Sequence, residues 1–250
     1  MKIFPRRWRA RSKADYGIEG TRAIIGLLVA GLAAIAAGLA VPTFYLGTFR
    51  IFLIGPTLLA LGCLSLAFSA STLAFALRGK FNICDHMLRM VRWRGDETVL
   101  EVGTGLGLLA VGAAKRLRSG TVTAIDLWEP SAAPLNAPEK VQRNIELEGV
   151  QDRVDLRSDD IRDIGFVDNS FDVVFSLLCL HTIGESEDRE AACLEIARVL
   201  KPRGIVIIAD NAYMAEYAQI LKEAGLKVQG PKPEFFRAYM PLSILTATKL

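Results

Sequence analysis

The stretch Thr98-Val-Leu-Glu101-Val-Gly103-Thr104-Gly105-Leu-Gly107 decides the reading of this chain. Five residues rich in β-branched and apolar side chains run into three closely spaced glycines. Leu106–Leu117 follows with helical patterning, and Gly120 stands beyond its end. Glycines at such a junction let the backbone turn sharply and let a ligand approach the main chain at a helix N-terminus. Dinucleotide enzymes place G-x-G-x-x-G here. In this chain the glycines stand at 103, 105 and 107, the third dinucleotide position is Leu108, and a carboxylate, Glu101, precedes the first glycine by two residues.

Outward from this junction, apolar strands alternate with amphipathic helices. Strands are predicted at Val122–Ile125, Arg153–Leu156, Phe171–Leu177 and Ile205–Ala209. Helices are predicted at Asn82–Trp93, Glu139–Glu148, Arg189–Leu200 and Tyr213–Ala224. That rhythm implies an α/β fold with a doubly wound, mostly parallel sheet. Leu226–Gln229 and Leu242–Thr248 have no predicted helix between them. They predict a closing hairpin, which makes seven strands with an antiparallel C-terminal edge strand.

Two further acids stand at strand ends. Asp126 closes the second strand, where a carboxylate can accept both ribose hydroxyls. Asp160 follows the third strand in Ser158-Asp159-Asp160-Ile161, with Asp159 as an adjacent competitor. Three acids and three glycines at strand ends describe a site for a nucleoside with an amino-acid tail.

The stretches VLEVGTGLG, TAIDLW, SDDIRDIGFVDNSFDVVFSLLCLHTI and EIARVLKPRGIVIIAD resemble the class I S-adenosylmethionine (SAM)-dependent methyltransferases, in particular those acting on quinones and other small molecules. The resemblance spans residues 81–250 and implies a Rossmann-like domain that binds SAM. It implies that Glu101 and the loop of Gly103, Thr104, Gly105 and Gly107 hold the methionine moiety. It places Asp126, with Leu127 beside it, at the ribose, and Asp160 with Ile161 at the adenine. Leu177 and Leu178 would lie near the sulfonium. The stretch after Asp126, LWEPSAAPLNAPEK, is longer than the family's usual turn.

The same stretches narrow the substrate. Phe171–His181 reads FDVVFSLLCLH and lacks the Asn/Asp-Pro-Pro-Tyr/Phe of enzymes that methylate amide or base nitrogens. Asp210-Asn211 resembles the metal pair of catechol-type enzymes. The aspartate those enzymes place after strand four is absent, so no metal is expected and Asp210 reads as structural or substrate-side. His181 is the one titratable candidate near the expected methyl group. It reads either as a general base or as a structural histidine in the strand-four loop.

The chain is 51% hydrophobic, with a mean hydropathy of +0.30, and the excess lies before Arg78. Ala23–Val41 and Ile51–Leu77 carry no charge. The first, at 1.5 Å per residue, covers roughly the 30 Å of a bilayer core. Both are expected to span a membrane as a hairpin (domain 23–77), between a basic segment 1–22 and a catalytic domain 78–250. Gly26, Ala30, Ala34 and Gly38 recur every four residues, as in close helix packing. Residues 1–22 hold seven Lys/Arg against two acids, and Arg78, Lys80, Arg89, Arg92 and Arg94 follow the second run, while only Arg50 lies between the runs. The positive-inside rule then puts the catalytic domain in the cytoplasm.

Four cysteines without a C-x-x-C pair suggest reduced thiols, and a net charge of +3 argues against a nucleic-acid partner. The expected function is methylation of a small, lipophilic or membrane-delivered acceptor. The alternatives are a transferase of the same fold using another SAM-related donor, or a non-catalytic SAM-binding membrane protein.

Overall fold

The computed structural model describes residues 14–18, 20–41, 44–46, 49–51, 54–128 and 137–250. Most of the basic N-terminal segment and the centre of the long stretch after Asp126 lie outside the described residues. The chain divides into two compact units: Ile18–Lys80 with Ala238–Met240, and the remainder.

The smaller unit holds α1 (Thr21–Ala40) and α2 (Ile54–Ala74), joined through an antiparallel pair, β1 (Phe44–Leu46) and β2 (Phe49–Ile51). Both helices are long and apolar enough to cross a membrane. Small residues set their packing. A Cβ on Gly31 would lie 3.1 Å from the Gly62 carbonyl oxygen, and one on Gly38 would lie 2.8 Å from that of Gly55. The buried face of α1 is therefore Ile24, Gly31 and Gly38. This corrects the four-residue stripe: Gly38 belongs to the seam, but Gly26 faces open space. Ser65 and Ser69 donate to the carbonyls of Leu27 (2.7 Å) and Ile24 (3.1 Å), which fixes the antiparallel register.

No linker separates α2 from the helix that follows. A π-helical turn, Phe75–Gly79, carries α2 directly into α3 (Lys80–Met90). The sequence ends the uncharged run at Leu77 and begins a separate amphipathic helix at Asn82. The helix instead absorbs the change from apolar to amphipathic patterning within one wide turn.

The larger unit is a seven-stranded sheet. Its elements are β3 (Thr98–Val102), α4 (Leu108–Ala114), β4 (Thr121–Asp126), α5 (Pro138–Leu147), β5 (Val154–Ser158), β6 (Phe171–Leu177), α6 (Ser186–Val199), β7 (Leu200–Asp210), α7 (Met214–Glu223), β8 (Leu226–Pro233), α8 (Phe235–Ala238) and β9 (Ser243–Lys249). The strand order is β5-β4-β3-β6-β7-β9-β8. β3 to β7 pair in parallel, and β9 is antiparallel to both neighbours. The C-terminal strand is thus antiparallel, as the sequence suggests, and lies one in from the edge with β8 outside it. A four-residue helix, α8, occupies the β8–β9 connection that the sequence leaves without one.

β3 and β6 read as nearly continuous apolar runs because helices cover both faces of the sheet. Val99, Leu100, Val102, Val173, Val174 and Phe175 are all buried. Every residue of α4 is buried, and Gly112 there leaves room for Leu88 of α3. α4 is shorter than predicted. Gly107 in the left-handed region delays its start. Arg116 and Leu117 shift to i−3 partners, Ala113 and Ala114, and so end it.

Candidate SAM site

Strand order reverses between β3 and β6: β4 and β5 lie to one side of β3, and β6 and β7 to the other. Ligands of open α/β sheets bind at the carboxyl ends of the strands at such a switch point. All the predicted site residues fall on the ends of β3 to β7 or in the loops just beyond, so the fold brings them to one edge of the sheet.

The β3–α4 loop follows from its three glycines, all with positive φ: +69° at Gly103, +55° at Gly105 and +80° at Gly107. Gly103 is required twice over, because a Cβ there would also lie 2.2 Å from Cys179 Sγ, across the switch point. The amides of Gly103 and Thr104 both donate to the Ile125 carbonyl, at 2.9 and 3.2 Å. Glu101 is 3% exposed. Its Oε2 accepts from the Thr104 hydroxyl and from the Ala110 amide (3.0 Å), so it clasps the loop to the first turn of α4. Burial pushes its carboxyl up to about 8, against the opposing pull of these hydrogen bonds.

Asp126 ends β4. One carboxylate oxygen accepts from the Gly105 amide (3.0 Å) and the other from the Trp128 amide (3.0 Å). Each oxygen keeps a second lone pair, enough for a diol beside the loop. The Trp128 bond holds that residue at a φ of +55° and turns the chain away. Leu127, between them, is 45% exposed.

Beyond β5 the two adjacent aspartates do different work. Asp159 accepts from the Asp160 amide (3.0 Å) and the Gly165 amide (3.1 Å). The Asp160 carboxylate meets the Arg162 guanidinium, with Nε at 3.0 Å and Nη2 at 2.6 Å, and these bonds hold it below the usual carboxylate range. Arg162 also reaches Asp188 of α6 (2.8 Å). Ile161, just beyond, is buried against the core.

Leu177 ends β6. Leu178 turns the chain in the left-handed region, its amide donating to the Ala209 carbonyl (2.8 Å). The turn brings Cys179 against Gly103 and leads into a short 3-10 helix, Leu180–Thr182, which carries His181. Asp210, fully buried at the end of β7, accepts from the amides of His181 (3.1 Å) and Asn211 (2.8 Å). Its Oδ1 lies 2.6 Å from His181 Nδ1. At that distance the carboxylate hydrogen-bonds the ring and raises the imidazole above its ordinary pKa, against the opposing effect of partial burial. Arg189 of α6 steadies this loop, donating to the carbonyls of Ile183 and Gly184 and forking onto Glu216 (3.0 and 3.1 Å). Among the described residues no group of three or more His, Cys, Asp or Glu could hold a metal ion.

Two features are missed by the sequence reading. The first is the His181–Asp210 pair, whose members stand 29 residues apart and meet only because β6 and β7 are neighbours. The second is a strap at Asp15–Gly17. The Asn144 side chain of α5 accepts from the Asp15 amide (2.9 Å). It donates to the Asp15 carbonyl (2.9 Å) and to the Leu106 carbonyl (3.0 Å), tying the strap to the glycine loop. Tyr16 is buried there, edge-on to Phe81 at 5.9 Å.

A family described as a methyltransferase domain matches residues 100–208, which run from within β3 to within β7. An uncharacterised protein of Haemophilus influenzae is 35% identical over 128 residues, covering 51% of this chain and 48% of that one. The 2-methyl-6-phytyl-1,4-hydroquinone methyltransferase of Synechocystis is 30% identical over 135 residues, covering 50% and 37%. The chain spans about half or less of the length of these curated relatives. A SAM-dependent methyltransferase from Aquifex aeolicus shares the fold, with a TM-score of 0.55 and 21% identity over 67% of this chain and 89% of its own. The larger unit thus has the Rossmann-like fold of these methyltransferases, with the glycine loop, Asp126 and His181 inside the matched region.

Proposed function

We propose that the chain is a membrane-anchored SAM-dependent methyltransferase acting on a small, lipophilic acceptor. The observation that carries this reading is the edge of the sheet at the β3/β6 switch point: a left-handed glycine loop, a buried acid and a diol-ready carboxylate beside it. These residues fit the donor. Glu101 is buried with no cation against it among the described residues and is pushed toward neutrality, an environment that a positively charged amino-acid tail would relieve. Asp126 retains acceptor capacity for ribose hydroxyls. Asp160 or its neighbour Asp159 would take the adenine amino group, with Ile161 packing beside it. Bound SAM supplies an electrophilic methyl group on a sulfonium.

The chain's own work is alignment, exclusion of water and one proton. Holding two reactants in line supplies roughly 7–11 kcal/mol in well-oriented systems. Leu177 and Leu178 give the end of β6 an apolar surface. His181 removes the proton from the attacking atom, and Asp210 fixes the ring and stabilises the imidazolium that forms. Ser176 Oγ, a buried polar atom without a hydrogen-bond partner among the described residues, falls on the end of β6, where an acceptor would enter.

The acceptor class rests on the hairpin. Two long apolar helices, flanked by basic residues on their outer ends, support a membrane location with the catalytic domain on the cytoplasmic side, where SAM is made. The Synechocystis relative, named for a prenylated hydroquinone, favours a lipophilic acceptor. A donor-consumption assay on the full chain tests the reading: SAM should be converted to its demethylated product. Consumption of a decarboxylated donor instead, or SAM binding without turnover on any acceptor, contradicts it.

A further inference from the structure

The β8–β9 connection reads Glu234-Phe-Phe-Arg-Ala-Tyr-Met240. Phe235 is 50% exposed and Phe236 92%, the two rings meeting edge-to-face at 5.6 Å. Exposed large side chains are ordinary when scattered; two adjacent phenylalanines at the tip of a tethered loop are not.

The loop is fastened along one helix. Within the larger unit, Asn82 Nδ2 donates to the Arg237 carbonyl (3.4 Å), and His86 Nε2 lies 3.3 Å from Glu234 Oε1. Arg237 in turn meets Glu234 at 2.9 Å. Within the smaller unit, Ser71 Oγ donates to the Tyr239 carbonyl. A Cβ on Gly79 would lie 2.1 Å from the Ala238 carbonyl oxygen, so only glycine admits this approach. Ser71, Gly79, Asn82 and His86 all belong to the unbroken helix Ile54–Met90.

The depth of this attachment follows from the hairpin's own register. Ser65 is level with Leu27 and Ser69 with Ile24. Ser71 is therefore level with Thr21 and Arg22, where the first charge ends the apolar run of α1. That is the boundary between hydrocarbon and headgroups, the level at which aromatic side chains concentrate and basic ones reach for phosphate. Tyr239 is held at that level by its own main chain. Phe236 stands three residues before it, within about 10 Å of extended chain.

We propose that Phe235 and Phe236, with Tyr239 and Arg237, form an interfacial anchor that inserts into the lipid surface beside the hairpin. This rests on the membrane reading above and goes beyond it. It assigns a second, side-chain-mediated contact with lipid, made by the methyltransferase domain's own C-terminal connection.

The test uses the full chain in phosphatidylcholine vesicles, with and without bromines on the acyl chains near the headgroups. Phe236→Trp reports the loop, and Leu64→Trp, at a 66% exposed position in the middle of α2, reports the hairpin. Emission added by each new tryptophan is measured over that of the three native ones. An inserted ring lies about 5–10 Å into the headgroup/acyl boundary. Phe236→Trp should then emit to the blue of exposed tryptophan and lose about half its added emission to shallow bromines, while Leu64→Trp responds most to bromines near the chain ends. If Leu64→Trp is quenched and Phe236→Trp is not, the anchor is overturned and the hairpin stands. If neither is quenched, the membrane reading falls and the anchor with it.

Discussion

Replacing Asp126 by alanine removes a carboxylate with two duties. In the structure its two oxygens each hold one backbone amide at 3.0 Å, from Gly105 and Trp128. In the donor complex the remaining lone pairs would accept two ribose hydroxyls. A hydrogen bond to a charged acceptor contributes about 1.5–3 kcal/mol. Loss of one such bond already costs about tenfold in affinity, and loss of both reaches a hundredfold or more. The amide of Gly105 is freed at the same time, so the loop's left-handed turn is held less firmly. Calorimetric titration of the full-length chain with SAM and with its demethylated product measures the effect, with circular dichroism confirming that the variant folds. Affinity should fall at least tenfold for both ligands. Unchanged affinity in a folded Asp126→Ala variant would refute the ribose assignment.

Four further outcomes are expected. Loss of His181 as a general base should lower the rate by about 10²–10⁴ with SAM affinity nearly unchanged. Because Asp210 raises the imidazole pKa, kcat/KM should rise with pH through an inflection above that of free histidine, and Asp210→Asn should move the inflection down; a rate loss below tenfold returns His181 to a structural role. Glu101, raised to about 8 by burial, holds its proton in the folded chain at pH values where the unfolded chain has lost it. The unliganded protein should therefore lose stability as pH rises from about 4.5 through 8, with a ceiling of order 5 kcal/mol. Glu101→Gln should flatten that dependence in a Tm series; a parallel fall in both proteins contradicts it. Of the two aspartates just beyond β5, Asp160→Ala should weaken SAM binding more than Asp159→Ala, by direct titration; the reverse order transfers the adenine contact to Asp159. Reporter fusions at residue 46 should read as non-cytoplasmic and fusions after residue 80 as cytoplasmic, and a cytoplasmic signal from residue 46 removes the hairpin.

The parallel sheet is legible because its strands are buried on both faces. Runs such as FDVVFSL leave no alternation to misread, and β3 and β6 match their predicted limits at Thr98–Val102 and Phe171–Leu177. The glycine loop is legible for a local reason, since three left-handed residues in five admit few other side chains. The features that escape are those set by distant partners. Asn144 in α5 looks like any polar helix residue until the strap at Asp15 meets it. Gly79 falls in the gap between two predicted helices, but its missing side chain admits the Ala238 carbonyl, and the helix runs on. The small-residue stripe fails for a related reason. Spacing alone does not say which face of α1 meets α2, and the hydroxyls of Ser65 and Ser69 help to choose the face of Ile24, Gly31 and Gly38. Asp126 and Glu101 are readable from the strand ends they occupy, whereas Asp210 acquires its meaning from His181 across the β6–β7 pair.

The most direct measurement supplies methyl-labelled SAM to the full-length chain reconstituted in vesicles with a lipid extract of host membranes. Label should move into an organic-soluble product, one methyl for each demethylated donor formed, and Asp126→Ala should lower the transfer at limiting SAM at least tenfold. Label that stays in the donor with every extract, or that passes only to water-soluble or macromolecular acceptors, contradicts the proposed function.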